Sequence, residues 1–165
     1  MPRWPIRPTI LLAAVAAALL LSACAGDSDA ADPGATADLS AAAGTTVTVH
    51  RTEACSCCGE YEDYLAAVGF TVEQVIHDDL EAVKARFGIP DGERSCHTNE
   101  VAGYAAEGHV PAEALLRLLD DAPDVDGISL AGMPAGSPGM PGEQEAPFVV
   151  RTFVDGQVVG EFGRF

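Results

Sequence analysis

Residues 47–59, V-T-V-H-R-T-E-A-C-S-C-C-G, decide the fold. A β-branched run predicts a first strand over 46–50, a polar turn follows, and then Cys55, Cys57 and Cys58 put three thiols into four positions. Beyond them Tyr61, Tyr64, Leu65 and Val68 recur at helical spacing and Gly69 supplies a left-handed stop, which predicts a helix over 59–68 with the thiols at its start. A strand that enters a helix through C-x-x-C, here Cys55 to Cys58, is how thioredoxin-like folds begin. Cys57 adds a C-x-C that a plain dithiol redox site does not need, and the extra thiol points toward metal. The partial positive charge at a helix N-terminus favours thiolate, which is both the metal-binding and the nucleophilic form. Spacing alone therefore leaves both chemistries open.

Working outward, the pattern predicts a second strand over 70–76 and then a helix capped by Asp79, with Leu80, Val83 and Phe87 apolar and Gly88 and Pro90 ending it. Residues 98–102 and 104–107 read either as one interrupted strand or as a tight ribbon about Gly103. Pro111 suits the first turn of a helix carrying Leu115, Leu116, Leu118 and Leu119, which stops before Pro123. After a long loop, strands over 148–154 and 157–162 flank Asp155-Gly156, a strong hairpin signal. A βαβ start followed by antiparallel strands predicts an α/β protein: a single thioredoxin-like domain, with a central mixed sheet and flanking helices.

The amino-terminal quarter reads as address rather than fold. Arg3 and Arg7 precede an apolar run from Ile10 to Leu21, too short for a comfortable membrane span but laid out as a secretory signal. Leu21-Ser22-Ala23-Cys24 looks like a lipobox, with an ordinary signal peptide or an uncleaved anchor as the bland alternative. This divides the chain into a lipoprotein signal peptide over 1–23, a flexible acidic tether over 24–44 that begins at a lipidated Cys24, and a metal-binding domain over 45–165. The implied location is the cell envelope, lipid-anchored to a membrane and facing the periplasm or exterior. The whole chain carries 9 basic and 25 acidic residues, a net charge of −16. Loss of Arg3 and Arg7 with the signal makes it −16 − 2 = −18. Nucleic acid is thereby excluded as a partner, because the phosphate interaction would be repulsive.

Two further stretches carry soft ligands. Cys96 stands beside His97 in Arg94-Ser95-Cys96-His97-Thr98. Met133 and Met140, the only methionines besides the initiator, lie in Gly132-Met133-Pro134-Ala135-Gly136-Ser137-Pro138-Gly139-Met140. Thioethers set between Gly and Pro have no helix or strand to pack from, so ligand or lid duty stands beside simple packing over the core. His97 is read either as an additional ligand or hydrogen-bond donor to one, or as a helix-cap or loop residue. His109, in Gly108-His109-Val110-Pro111, is read either as a site contact or as a structural hydrogen bond at a helix start. His50 and His77, at strand ends, are expected to face solvent.

In this order, Cys55-Ser56-Cys57-Cys58-Gly59, Ser95-Cys96-His97-Thr98, Glu107-Gly108-His109-Val110-Pro111 and the Met133 to Met140 loop closely resemble the CopG-type copper-resistance proteins of bacteria, a family long catalogued as a domain of unknown function. The resemblance implies a secreted or envelope-attached protein of thioredoxin-like fold. It also implies Cys55, Cys57, Cys58 and Cys96 as copper-binding thiols of a cysteine-bridged cluster; His97, His109, Met133 and Met140 stand as further candidates from the residues themselves. The chemistry agrees: Cu(I) is soft and prefers thiolate, and four thiolates each bridging two ions would serve about four two-coordinate Cu(I) ions. Mononuclear zinc and a structural disulfide are the lesser alternatives.

Three functions are consistent with these residues. An envelope copper-binding protein would sequester copper, pass it to other copper-handling proteins or change its redox state. A lipoprotein thiol–disulfide oxidoreductase would use Cys55 and Cys58, although Cys57 would compete as a resolving thiol. A structural module would use its cysteines as crosslinks, but crosslinks stabilise most when they close long loops, and three thiols within four residues close none. Whether the chain is an enzyme is left open by the sequence.

Overall fold

The computed structural model describes residues 42–165; the expected signal peptide over 1–23, the expected lipidation site Cys24 and the expected tether as far as residue 41 lie outside the described residues. Ala42 is already packed into the main core. Strand β1 (Thr46–Arg51) buries Val47 and Val49 on one face, then passes through the thiol turn into α1 (Cys58–Val68). Gly69, at φ 117°, ends that helix by donating its N–H to the Leu65 and Ala66 carbonyls, a left-handed stop that only glycine adopts without strain. The chain returns as β2 (Thr71–Ile76), parallel to β1.

Helix α2 (Glu81–Arg86) follows. Asp79 does accept the Glu81 N–H at 3.0 Å, but the cap position falls on Leu80, one residue later than expected. Strands β3 (His97–Val101) and β4 (Tyr104–Glu107) form a hairpin through Ala102 and Gly103, at φ 48° and 89°, the paired left-handed residues of a two-residue turn. Helix α3 (Ala112–Asp121) has Pro111 at its cap. The order β2-β1-β3-β4, with the first pair parallel and the rest antiparallel, is the thioredoxin-like arrangement expected from the βαβ start.

The sheet does not end there. Strand β5 (Gly127–Ser129) adds parallel to β4, and β6 (Val149–Val154) and β7 (Gln157–Arg164) complete a seven-stranded mixed sheet of order β2-β1-β3-β4-β5-β6-β7. The sequence reading missed β5 because three residues show no alternation. Its first residue must be glycine: a Cβ on Gly127 would lie 2.0 Å from the Ala105 carbonyl oxygen.

The main core fills the face covered by α1 and α3, where Val47, Val49, Tyr61, Leu65, Leu115, Leu118 and Ile128 are all buried. The opposite face, under α2, has a small apolar cluster of Ile89, Ala105 and Phe153 with Phe87 packed against it. Its remainder is polar. Lys84 pairs with Glu107, both buried, and Ser129 donates to Glu93 at 2.8 Å. The expectation that His50 faces solvent is corrected here. Alternation turns His50 to the face opposite Val47 and Val49, where it is 7% exposed, beside Phe87 and within 3.0 Å of half-buried His77.

Candidate metal centre

Three separated segments build the site. The first is the turn into α1. Cys57 takes its cap position without a side-chain bond to the helix's free N–H groups, Cys58 opens the first turn and is fully buried, and Cys55 is half-buried. The second is the entry to β3. Sheet pairing of β1 with β3 sets Arg51 opposite His97, so Cys96 arrives where β1 leaves for the thiol turn. The third is the link from β4 to α3, which carries His109.

The four sulfurs lie within 4.8 Å of one another. Cys57 Sγ is 3.5 Å from Cys96 Sγ and 3.9 Å from Cys55 Sγ. Cys55 and Cys58 are joined as a disulfide, while Cys57 and Cys96 are free thiols. Nitrogen donors back the sulfurs. His97 Nδ1 is 3.4 Å from Cys58 Sγ and 3.3 Å from Cys96 Sγ, and His109 Nε2 is 3.5 Å from Cys96 Sγ. Cys96, His97 and His109 form a second close group around the same thiol.

The inner wall is aromatic and buried. Tyr61 is fully buried, donates its hydroxyl to the Val110 carbonyl at 2.8 Å, and sets its ring 4.8 Å from His97 and 5.3 Å from His109. Burial pushes the His97 imidazole down to about 3, with His109 and Lys84 adding to the effect, so the ring is neutral and its unprotonated nitrogen is free to act as a ligand. Burial also lowers His109, against the Pro138 carbonyl that bonds its Nδ1 at 2.7 Å and turns Nε2 toward the sulfurs. Burial, with Cys57 beside it, pushes the Cys96 thiol up to about 12. In the metal-free form the helix end therefore does not hold Cys96 as thiolate; a metal must displace its proton.

Of the residues singled out from sequence, Cys55, Cys57, Cys58, Cys96, His97 and His109 all converge. The methionine loop reaches the site by its backbone. A Cβ on Gly139, at φ 75°, would lie 2.6 Å from the Tyr61 nitrogen, so this glycine lets the loop lie against the first turns of α1 while Pro138 holds His109. Met133 stands on the outer part of the loop, 38% exposed, and Met140 is half-buried beside Gly139.

Two supporting residues were not read from sequence. Tyr61 looked like any helix-core residue. Glu107, fully buried, accepts the Ser95 N–H at 2.5 Å and the Thr98 hydroxyl at 2.6 Å, and so pins the residue before Cys96. Its one sequence signal is an acid closing an otherwise apolar strand, Tyr104–Glu107.

Two solved structures are similar to this chain. One, named copper resistance protein CopG (Form 2), is 37% identical, with a TM-score of 0.67, and the match covers 73% of this chain and 98% of that one. The chain belongs to the CopG-type copper-resistance family. A second structure named copper resistance protein CopG (Form 1) matches at 38% identity and TM-score 0.66, over 73% of this chain and 96% of that one. A family described as a protein of unknown function, DUF411, matches residues 93–140, a span containing Cys96, His97, His109 and the methionine loop. No curated protein sequence matches. The CopG-type motifs thus coincide with the segments that meet at the thiols.

The donors fit copper. Four sulfurs and two neutral imidazoles make a soft set, and His97 Nε2 is a fully buried nitrogen without a hydrogen-bond partner among the described residues.

Proposed function

We propose that this chain binds copper in the cell envelope, holding Cu(I) in a polynuclear cluster of the Cys55, Cys57, Cys58 and Cys96 thiolates and so contributing to copper resistance or homeostasis. The observation that carries this reading is the meeting of four sulfurs, from segments some forty residues apart, within 4.8 Å. Names of the similar structures, copper resistance protein CopG, support copper over zinc as the metal.

The chain's own residues would act in a definite order. Two electrons and two protons convert the Cys55–Cys58 disulfide into two thiols, with an envelope thiol or an added phosphine as reductant. Copper then displaces the protons of all four thiols. His97 and His109 meet the ions as neutral donors, while Tyr61 and the Gly139 loop exclude water. Anchoring through a lipidated Cys24 would place this chemistry at a membrane facing the periplasm or exterior, where other copper-handling proteins would receive the ions.

The disulfide favours a second reading, a lipoprotein thiol–disulfide oxidoreductase that attacks through Cys55, the more exposed of the pair. One comparison separates the two. On the copper reading, Cys96→Ser lowers Cu(I) stoichiometry and abolishes protection of copper-stressed cells, while any disulfide reductase activity persists. Full copper loading in Cys96→Ser, with a robust reductase turnover lost in Cys55→Ser or Cys58→Ser, would replace the copper reading with the redox-enzyme reading.

A further inference from the structure

On the other face of the sheet a second group of metal-ligating side chains has no part in the thiol cluster. His50 Nδ1 faces His77 Nε2 at 3.0 Å, from the end of β1 to the residue after β2. The opposite nitrogen of His50, Nε2, meets the Glu100 carboxylate at 3.4 Å, and Arg86 holds that carboxylate with a 2.5 Å bond. A carboxylate on one imidazole nitrogen keeps the proton there and leaves the other nitrogen bare, as in the carboxylate–histidine–metal arrangement of many metal sites. The bare atom of His50 is therefore Nδ1, the one aimed at His77.

We propose that His50 and His77 form a second metal site, a nitrogen site for a borderline divalent cation with Cu(II) as its best occupant. Spacing selects the ion. With metal–nitrogen bonds of about 2.0–2.1 Å, two nitrogens 3.0 Å apart subtend roughly 90–97° at a metal. That is the cis angle of tetragonal Cu(II), whereas a tetrahedral zinc site needs nitrogens about 3.3–3.4 Å apart. Cu(II) also heads the affinity order for nitrogen ligands. Phe87, its ring 6.1 Å from that of His50, shields the inner side, and half-buried His77 leaves solvent to complete the coordination. The protein would then hold the borderline Cu(II) and the soft Cu(I) forms of one metal on opposite faces of its sheet.

The test adds Cu(II) to the full chain already loaded with Cu(I), which is silent in electron paramagnetic resonance. The expected result is one equivalent of tetragonal Cu(II) with hyperfine splitting from two nitrogens. That signal disappears in His77→Ala, a partly exposed position whose circular dichroism stays that of the parent. Glu100→Ala weakens the site about 10- to 100-fold through loss of the carboxylate on His50. A parent spectrum without nitrogen splitting, or the same two-nitrogen signal in His77→Ala, would overturn the proposal and leave the pair as a simple hydrogen bond between rings.

Discussion

Strand β3 feeds two opposite polar worlds. Its alternate residues His97 and Asn99 point into the face of α1 and α3, and Thr98 and Glu100 into the face of α2. On the α2 face the buried ions are satisfied by one another: Glu107 accepts from Lys84, Thr98 and the Ser95 backbone, and Thr98 also accepts from Lys84 at 3.2 Å. On the thiol face the polar atoms are brought together but not satisfied. Among the described residues His97 Nε2 has no hydrogen-bond partner, and sulfur contacts of 3.3–3.9 Å are weak substitutes for hydrogen bonds. Unsatisfied buried polar atoms cost stability, so a closed network reads as scaffold and an open one as a site kept ready for what completes it. The two are joined at one residue, Ser95, whose N–H the scaffold holds and whose neighbour is Cys96.

Breaking the closed network should have the largest effect on the fold. Lys84→Met leaves the Glu107 carboxylate buried without its cation, and a loss of about 3–5 kcal/mol is expected in urea unfolding. A loss below about 1 kcal/mol would mean that the pair is wetter than its burial indicates. Next comes the loop over the thiols. In Gly139→Ala the new Cβ meets the α1 backbone at a left-handed residue, which should cost about 1–3 kcal/mol and pull Pro138 from His109, seen as a lower melting temperature and a shifted His109 imidazole resonance. Cys96→Ser sharpens the contrast, because unfolding free energy should move by less than about 1 kcal/mol while copper stoichiometry falls. A large stability loss there, with copper retained, would make Cys96 part of the scaffold. Smallest of all is Cys24→Ser: it should release the protein from the membrane fraction and change neither stability nor copper binding, as fractionation and metal analysis of the same preparation would show.

Much of this contrast was legible in the residues, though unevenly. The thiol face could be read because cysteines are few and clustered, and because Gly69, Gly103 and Asp155-Gly156 mark where helix and strands must end or turn. Cys96 could be placed beside the cluster because the segment entering a neighbouring strand lies next to the first helix in this fold. The α2 face was not legible. Lys84 and Glu107 are 23 residues apart and look like surface charges until the sheet pairs β3 with β4 and α2 closes over them. His50 and His77 each look like a solvated strand end, and only the parallel pairing of β1 with β2, with Arg51 opposite Ile76, brings their rings together. Strand β5 escaped because its three residues owe their place to β4 and β6 on either side rather than to any pattern of their own.

The most direct measurement counts metal in the reduced full chain. Purified without oxygen, reduced, and offered Cu(I) with a competing Cu(I) chelator, the protein should retain more than one copper per chain, and the oxidised form, with Cys55 and Cys58 joined, should retain fewer. Retention of at most one metal ion, with zinc held in preference to copper, would contradict the cluster.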